Sequence, residues 1–167
     1  HKPLSAHTQD SFKRDVEKNI NILLKTGASK IFGFRAPVFS LTKNTFWAHD
    51  ILASCGITYS SSVLPANNPL YGWKGFGQDA KIVNNKILEM PMSVTHFGPL
   101  HIPFAGGVYF RCLPFWFIKN SFKKKFKSNN PVLSYFHPYD LDVEQEKYMH
   151  SGINESKFYN FLMYYNR

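Results

Sequence analysis

Between Thr8 and Gly27 the apolar residues Phe12, Val16, Ile20, Leu23 and Leu24 recur at helical spacing. That pattern predicts an amphipathic helix over 9–26, capped by Thr8 and stopped by Gly27. The pattern then changes. Lys30-Ile31-Phe32-Gly33-Phe34 is a short, mostly apolar run ended by Arg35-Ala36-Pro37. It reads as a buried strand, because proline cannot donate to a sheet ladder and restrains the residue before it. A second helical pattern over 44–55 places Phe46, Trp47, Ile51 and Leu52 on one side, with Gly56 as its stop and Ile57-Thr58-Tyr59 as the following strand. Helix and strand in alternation are the rhythm of a parallel α/β sheet.

Residues 63–80 are rich in Pro, Asn and Gly and read as a long loop, a kind of segment that often carries function. Lys81–Val83 and 86–90 flank Asn84-Asn85, the signature of a β-hairpin. Pro114 opens a helix to about Lys127, with Phe115, Ile118, Phe122 and Phe126 as its inner stripe and the lysines turned away. Val132-Leu133-Ser134-Tyr135-Phe136 is expected to be a further buried strand, closed by His137-Pro138. The tail 143–167 is polar and then aromatic, which fits a terminal helix docked on the core.

Composition narrows the class. With 167 residues, 44% hydrophobic and 17% aromatic, the chain can bury one core, so a single domain over 1–167 is expected. No apolar run reaches the roughly 20 residues of a membrane span, and a soluble globular domain without a transmembrane segment follows as the expectation. The net charge of +9 suits polyanions, but charge informs on partners weakly and on fold not at all; nucleic acid is a minority reading. Cys55 and Cys112 lack metal or disulfide spacing and read as two buried thiols. The chain begins with His, without a signal or transit pattern, so a fragment is expected and the compartment stays open.

Candidate chemistry gathers at the ends of the expected strands: Arg35 after the first, Ser60-Ser61-Ser62 after the second and His137 after the last. Loops at the C-terminal ends of strands converge in α/β architectures, so one shared cleft is expected. His137 stands between an apolar run and Pro138, and histidine is the usual acid or base near neutral pH. Arg35 needs a carboxylate partner or solvent. Tyr71, Trp73 and Phe76 in the long loop are candidates for stacking on sugar rings. His96 and His101 fit no helical metal pair and receive no metal role. Lys119, Lys123, Lys124, Lys125 and Lys127 could meet an anionic backbone or glycan, although a solvated outer helix face is the preferred reading.

Four ordered segments resemble the polysaccharide deacetylases of the NodB-homology fold, in the branch associated with bacterial exopolysaccharide loci. They are Phe34-Arg35-Ala36-Pro37-Val38-Phe39-Ser40, Tyr59-Ser60-Ser61-Ser62-Val63-Leu64-Pro65, Gly106-Gly107-Val108-Tyr109-Phe110-Arg111 and Tyr135-Phe136-His137-Pro138-Tyr139-Asp140-Leu141-Asp142. The resemblance implies a distorted (β/α) barrel, here incomplete because the first strands precede this chain. It also implies hydrolysis of N-acetyl groups on the sugars of a polysaccharide or oligosaccharide, with a divalent metal, zinc foremost, activating water.

By that resemblance His1 is one metal ligand, while the catalytic base and the metal-binding aspartate lie on a strand upstream, so the fragment alone is expected to be inactive. Arg35 would hold that aspartate. The backbone N–H near Val38 would help stabilise the oxyanion, and His137 would protonate the leaving amine. Val38, Phe39, Tyr59 and Trp73 are the expected substrate contacts, and Leu133 either lines the pocket for the acetyl methyl or is plain core. At Ser60 the sequence departs from relatives, many of which carry Asp. The alternatives are a sugar-binding protein of the same fold that lacks catalysis and, less favoured, a basic nucleic-acid-binding domain.

Overall fold

Thr8 starts the first helix as its sequence requires: its hydroxyl accepts the Ser11 N–H at 3.2 Å and Ser11 Oγ accepts the Thr8 N–H at 2.9 Å, a reciprocal cap. In the computed structural model, which describes residues 2–68, 71–128 and 131–144, this helix, α1, spans Gln9–Lys25. It ends where Gly27, at φ 107°, lets the Ala28 N–H reach the Leu23 carbonyl and its own N–H reach that of Leu24. The same closure ends α2, Ala48–Ser54, at Gly56, with Ile57 N–H bonded to the Leu52 carbonyl.

The chain divides into two compact units, His1–Ile102 and Pro103–Arg167. In the first, β1 (Gly33–Phe34), β2 (Tyr59–Ser60), β3 (Lys81–Val83) and β4 (Ile87–Glu89) form one sheet in the order β1-β2-β4-β3. β1, β2 and β4 run parallel and β3 is antiparallel to β4. The hairpin turns at Asn84 and Asn85, both near φ +50°, the left-handed pair that a two-residue turn demands and Asn tolerates. Phe34, Ser60 and Glu89 stand side by side in the register, so the three parallel strands end in one row.

The core of this unit is built from Leu4, Phe12, Leu41, Ala48, Leu52, Val63, Phe76 and Ile87. Leucine and isoleucine side chains buried to this degree each contribute about 1.5–3 kcal/mol. Phe12 joins the layers, meeting the rings of Phe34 and Trp47 edge-on at 5.6 and 5.7 Å.

Several expected elements are shorter or turned differently. The first strand holds two residues rather than five, and Phe32 beside it is half-exposed. Among the described residues it is the edge of its sheet, with β2 on one side and no strand on the other. In α1 the stripe is buried at Phe12 and Val16, but Leu23 and Leu24 are exposed. The reason is length: α1 runs about 26 Å while the seven-residue α2 beneath it covers about 10 Å. The second helix begins later than expected, because Lys43–Thr45 form a separate 3-10 turn capped by Thr42.

Residues 94–103, for which the sequence pattern predicts no strand, form a hairpin of β5 (Val94–Phe97) and β6 (Leu100–Pro103) around Gly98, which takes φ 57°.

In the second unit α3 spans Gly107–Cys112 and α4 spans Phe115–Lys127. The buried face of α4 is Ile118, Ser121 and Lys125, with Phe122 half-buried, whereas Phe115 and Phe126 are exposed. The expected stripe is therefore rotated. At about 100° per residue Phe115 and Phe126 lie some 60–80° round from Ile118, while Lys125 returns to its side. The expected strand over 132–136 is a half-exposed segment joined by one parallel bridge, Tyr135 to Gly106. The thiols also differ from expectation: Cys112 is exposed and Cys55 half-buried. The aromatic part of the tail lies outside the described residues.

Candidate functional site

At the row of strand ends in the first unit, Ser60, Ser61 and Ser62 are buried. Arg35 reaches across from the end of β1 and is fixed by its neighbour strand: Nε donates to the Ser61 carbonyl at 3.2 Å and Nη2 to Ser61 Oγ at 3.1 Å. Its guanidinium also lies 5.4 Å from the Phe39 ring centroid. The backbone follows the same path, with the Ala36 N–H donating to Ser62 Oγ at 2.9 Å. Arg35 therefore has a set direction while its side chain stays exposed.

Between Arg35 and Ser40 the chain makes an uncommon turn. Val38 has φ 52°, ψ 26° and Phe39 has φ 53°. Left-handed backbone at a β-branched residue costs on the order of 1–3 kcal/mol. Val38 is also 60% exposed, so no burial of its side chain offsets that cost. Such strain at a strand end is a feature of sites where backbone is aimed at a ligand. Tyr59 lies flat against β1: a Cβ on Gly33 would sit 2.3 Å from its ring, which is why that position has no side chain.

The centre of this cluster is a residue the sequence reading passed over. Glu89, at the end of β4, is fully buried. One carboxylate oxygen accepts the N–H groups of Ser62 at 2.7 Å and Val63 at 3.0 Å, and the other faces His49 Nε2 at 3.0 Å. Burial pushes the Glu89 carboxyl up, but the hydrogen bonds from His49, Ser60, Ser62 and Val63 together outweigh it and hold the pKa below the ordinary glutamate value. Glu89 is thus a charged anchor under the Ser60–Ser62 segment on which Arg35 rests. The available signal was one acid in the apolar run Ile87-Leu88-Glu89-Met90, a position where a carboxylate must have partners.

Trp73 meets Phe46 and Phe76 edge-on at 5.6 and 4.9 Å. These three rings, with Lys81 and Asn84, line a depression of 280 Å³ alongside the β3–β4 hairpin. His101 donates from Nδ1 to the Pro65 carbonyl at 2.9 Å, and its ring stands 4.3 Å from that of His96, which contacts Gln78. Among the described residues no group of three His, Cys, Asp or Glu is placed to hold a metal ion, and His1 lies outside them.

In the second unit Gly106 and Gly107 explain themselves by contact. A Cβ on Gly106 would lie 2.1 Å from the Tyr135 carbonyl oxygen and one on Gly107 2.6 Å from the Tyr135 hydroxyl. The bare backbone lets the 133–137 segment cross α3 at its start, with Gly107 N–H donating to Tyr135 O at 3.1 Å and Tyr135 N–H to Ala105 O at 3.2 Å. That crossing sets where His137 begins. His137 is exposed and precedes the 3-10 turn Pro138–Asp140: its carbonyl accepts the Asp140 N–H at 2.9 Å, and its own N–H donates to Asp140 Oδ2 at 2.9 Å. Asp140 is buried and pairs with Arg111 of α3 at 3.2 Å. Leu133, half-buried, precedes this turn.

Of the expected site residues, the structure gathers Arg35 and Phe39 at one strand end beside the strained Val38, keeps Tyr59 on the neighbouring strand, and sets Trp73 in the aromatic depression. Leu133 and His137 belong to the second unit, where Arg111 and Asp140 support His137.

A family model described as a domain of unknown function, DUF3473, matches residues 61–167. The chain belongs to that family. The DUF3473 segment contains Ser61, Ser62, Trp73, Glu89, Arg111, Leu133, His137 and Asp140, whereas Arg35, Val38, Phe39, His49 and Tyr59 precede it. No curated protein and no solved structure matches the chain.

Proposed function

We propose that the chain is part of a hydrolase that removes N-acetyl groups from the sugar units of a bacterial polysaccharide, on an incomplete, distorted (β/α) barrel of the NodB-homology type. The observation that carries this reading is the support of His137: an exposed imidazole whose backbone is locked by the buried Asp140–Arg111 pair, in a segment that resembles the acid-bearing motif of polysaccharide deacetylases. An amine is a poor leaving group and departs only with a proton, and an imidazole held in one place near neutral pH supplies it.

In this reading His137 gives its proton to the departing nitrogen. Arg35, aimed by Ser61, orients a carboxylate that acts as base, and the Val38–Phe39 backbone faces the oxygen that gains charge. Phe39, Tyr59, Trp73 and Leu133 contact the sugar and its acetyl methyl. A divalent metal, zinc foremost, belongs to the chemistry of the polysaccharide deacetylases that the sequence resembles. The described residues do not by themselves form a site for it.

Ser60 favours one alternative. It is fully buried beside Glu89 and Ser62 instead of offering a carboxylate where many of the resembled deacetylases carry Asp, as in a carbohydrate-binding protein of the same fold that lacks catalysis. Acetate release from N-acetylglucosamine oligomers by the intact gene product, with and without chelator and added divalent metal, separates the two. Metal-dependent release is expected. Oligosaccharide binding without acetate release would replace the enzyme with the binding protein.

A further inference from the structure

The outer face of α4 is neither core nor an ordinary solvated surface. Phe115, Trp116 and Phe126 are 76%, 62% and 72% exposed. At 100° per residue they share one sector of about 120° with Lys119, Lys123 and Lys127, also exposed, which starts about 60° round from the buried Ile118 and ends opposite it. Residues 115–127 contain five lysines and no acid, so no intrahelical ion pair neutralises the sector. Large aromatic side chains left in water forgo the stabilisation that burial would give. Three of them interleaved with ammonium groups call for a partner that is apolar and anionic at once.

A bilayer surface with acidic headgroups has that pair of properties within a few ångströms of depth. Phenylalanine and tryptophan enter the boundary between headgroups and acyl chains, while lysine stems lie along the apolar layer and hold their charges at the phosphates. A sugar polymer fits less well, because between these rings the helix offers ammonium groups and Asn120 but no carboxylate to accept sugar hydroxyls. No described helix is long and apolar enough to cross a membrane, so the contact is with the surface. We propose that α4 docks this protein on an anionic membrane surface by its Phe115, Trp116, Lys119, Lys123, Phe126 and Lys127 face. The proposal is independent of the deacetylase reading.

Co-sedimentation of the full 167-residue chain with phospholipid vesicles tests it, comparing phosphatidylcholine alone with an equal mixture of phosphatidylcholine and phosphatidylglycerol at low and high salt. Binding to the acidic vesicles is expected, weakened by salt. The double variants Phe115→Ser/Phe126→Ser and Lys119→Glu/Lys123→Glu should each bind at least about tenfold more weakly. Every substituted side chain is exposed, and circular dichroism checks that the fold is kept. No binding to acidic vesicles, equal binding to neutral ones, or full retention by the phenylalanine variant would each overturn the proposal. So would binding to a soluble acidic polysaccharide in place of vesicles.

Discussion

The two units use the same three kinds of side chain in opposite arrangements. In the first, a carboxylate, a histidine and an arginine occur as Glu89, His49 and Arg35; in the second, as Asp140, His137 and Arg111. In both, a buried acid holds backbone N–H groups, Glu89 those of Ser62 and Val63 and Asp140 that of His137. The other two roles are exchanged. His49 is sealed against Glu89 and Arg35 is exposed, whereas Arg111 is sealed against Asp140 and His137 is exposed. A sealed histidine cannot meet a substrate and an exposed one can. Burial, more than residue type, thus separates the candidate acid from the structural histidine.

The comparison breaks most visibly at Glu89. Glu89→Ala leaves two backbone N–H groups and His49 buried without their acceptor and should cost about 3–5 kcal/mol, measured by urea unfolding. Glu89→Gln sharpens the point. Because the Glu89 carboxyl is held below its ordinary pKa, its contribution is present above the unfolded value and is lost as pH falls through the folded value. In the glutamine variant that part of the acid destabilisation should vanish.

Arg111→Ala strands the buried Asp140 carboxylate and is expected to cost about 3 kcal/mol, slightly less than Glu89→Ala because Asp140 keeps the His137 N–H. Gly106→Ala presses a Cβ into the Tyr135 carbonyl and should cost about 1–3 kcal/mol, read from the same unfolding curves. The smallest effect belongs to Lys86→Ala, which removes an exposed pair with Asp50 worth less than about 1 kcal/mol.

Local signals in the sequence were readable where a few neighbouring residues decide the outcome. Thr8, Gly27 and Gly56 place helix ends, and Asn84-Asn85 place a hairpin, because caps and left-handed turns depend on residues within one turn of chain. The parallel pairing of β1 and β2 followed from the helix between them.

Side-chain burial was less legible, since it depends on what the rest of the chain lays over each face. The Leu23–Leu24 end of α1 and the Phe115 and Phe126 positions of α4 have the right period and nevertheless face outward. The site divided in the same way. Arg35 and His137 were visible as polar residues at the ends of apolar runs with a proline one or two positions on. Glu89 and His49 meet across 40 residues, and nothing local announces that pairing. Asp140 stood in the quoted motif, yet its role needs Arg111 from another helix.

His137 is the proposed acid, in a position that Asp140 and Arg111 maintain. The most direct test is acetate release from N-acetylglucosamine oligomers by the intact protein and its His137→Ala variant, with unfolding curves confirming that both are folded. A loss of at least about 100-fold in kcat with stability nearly unchanged is expected, as removal of a general acid gives. Turnover retained in a folded His137→Ala protein would contradict it.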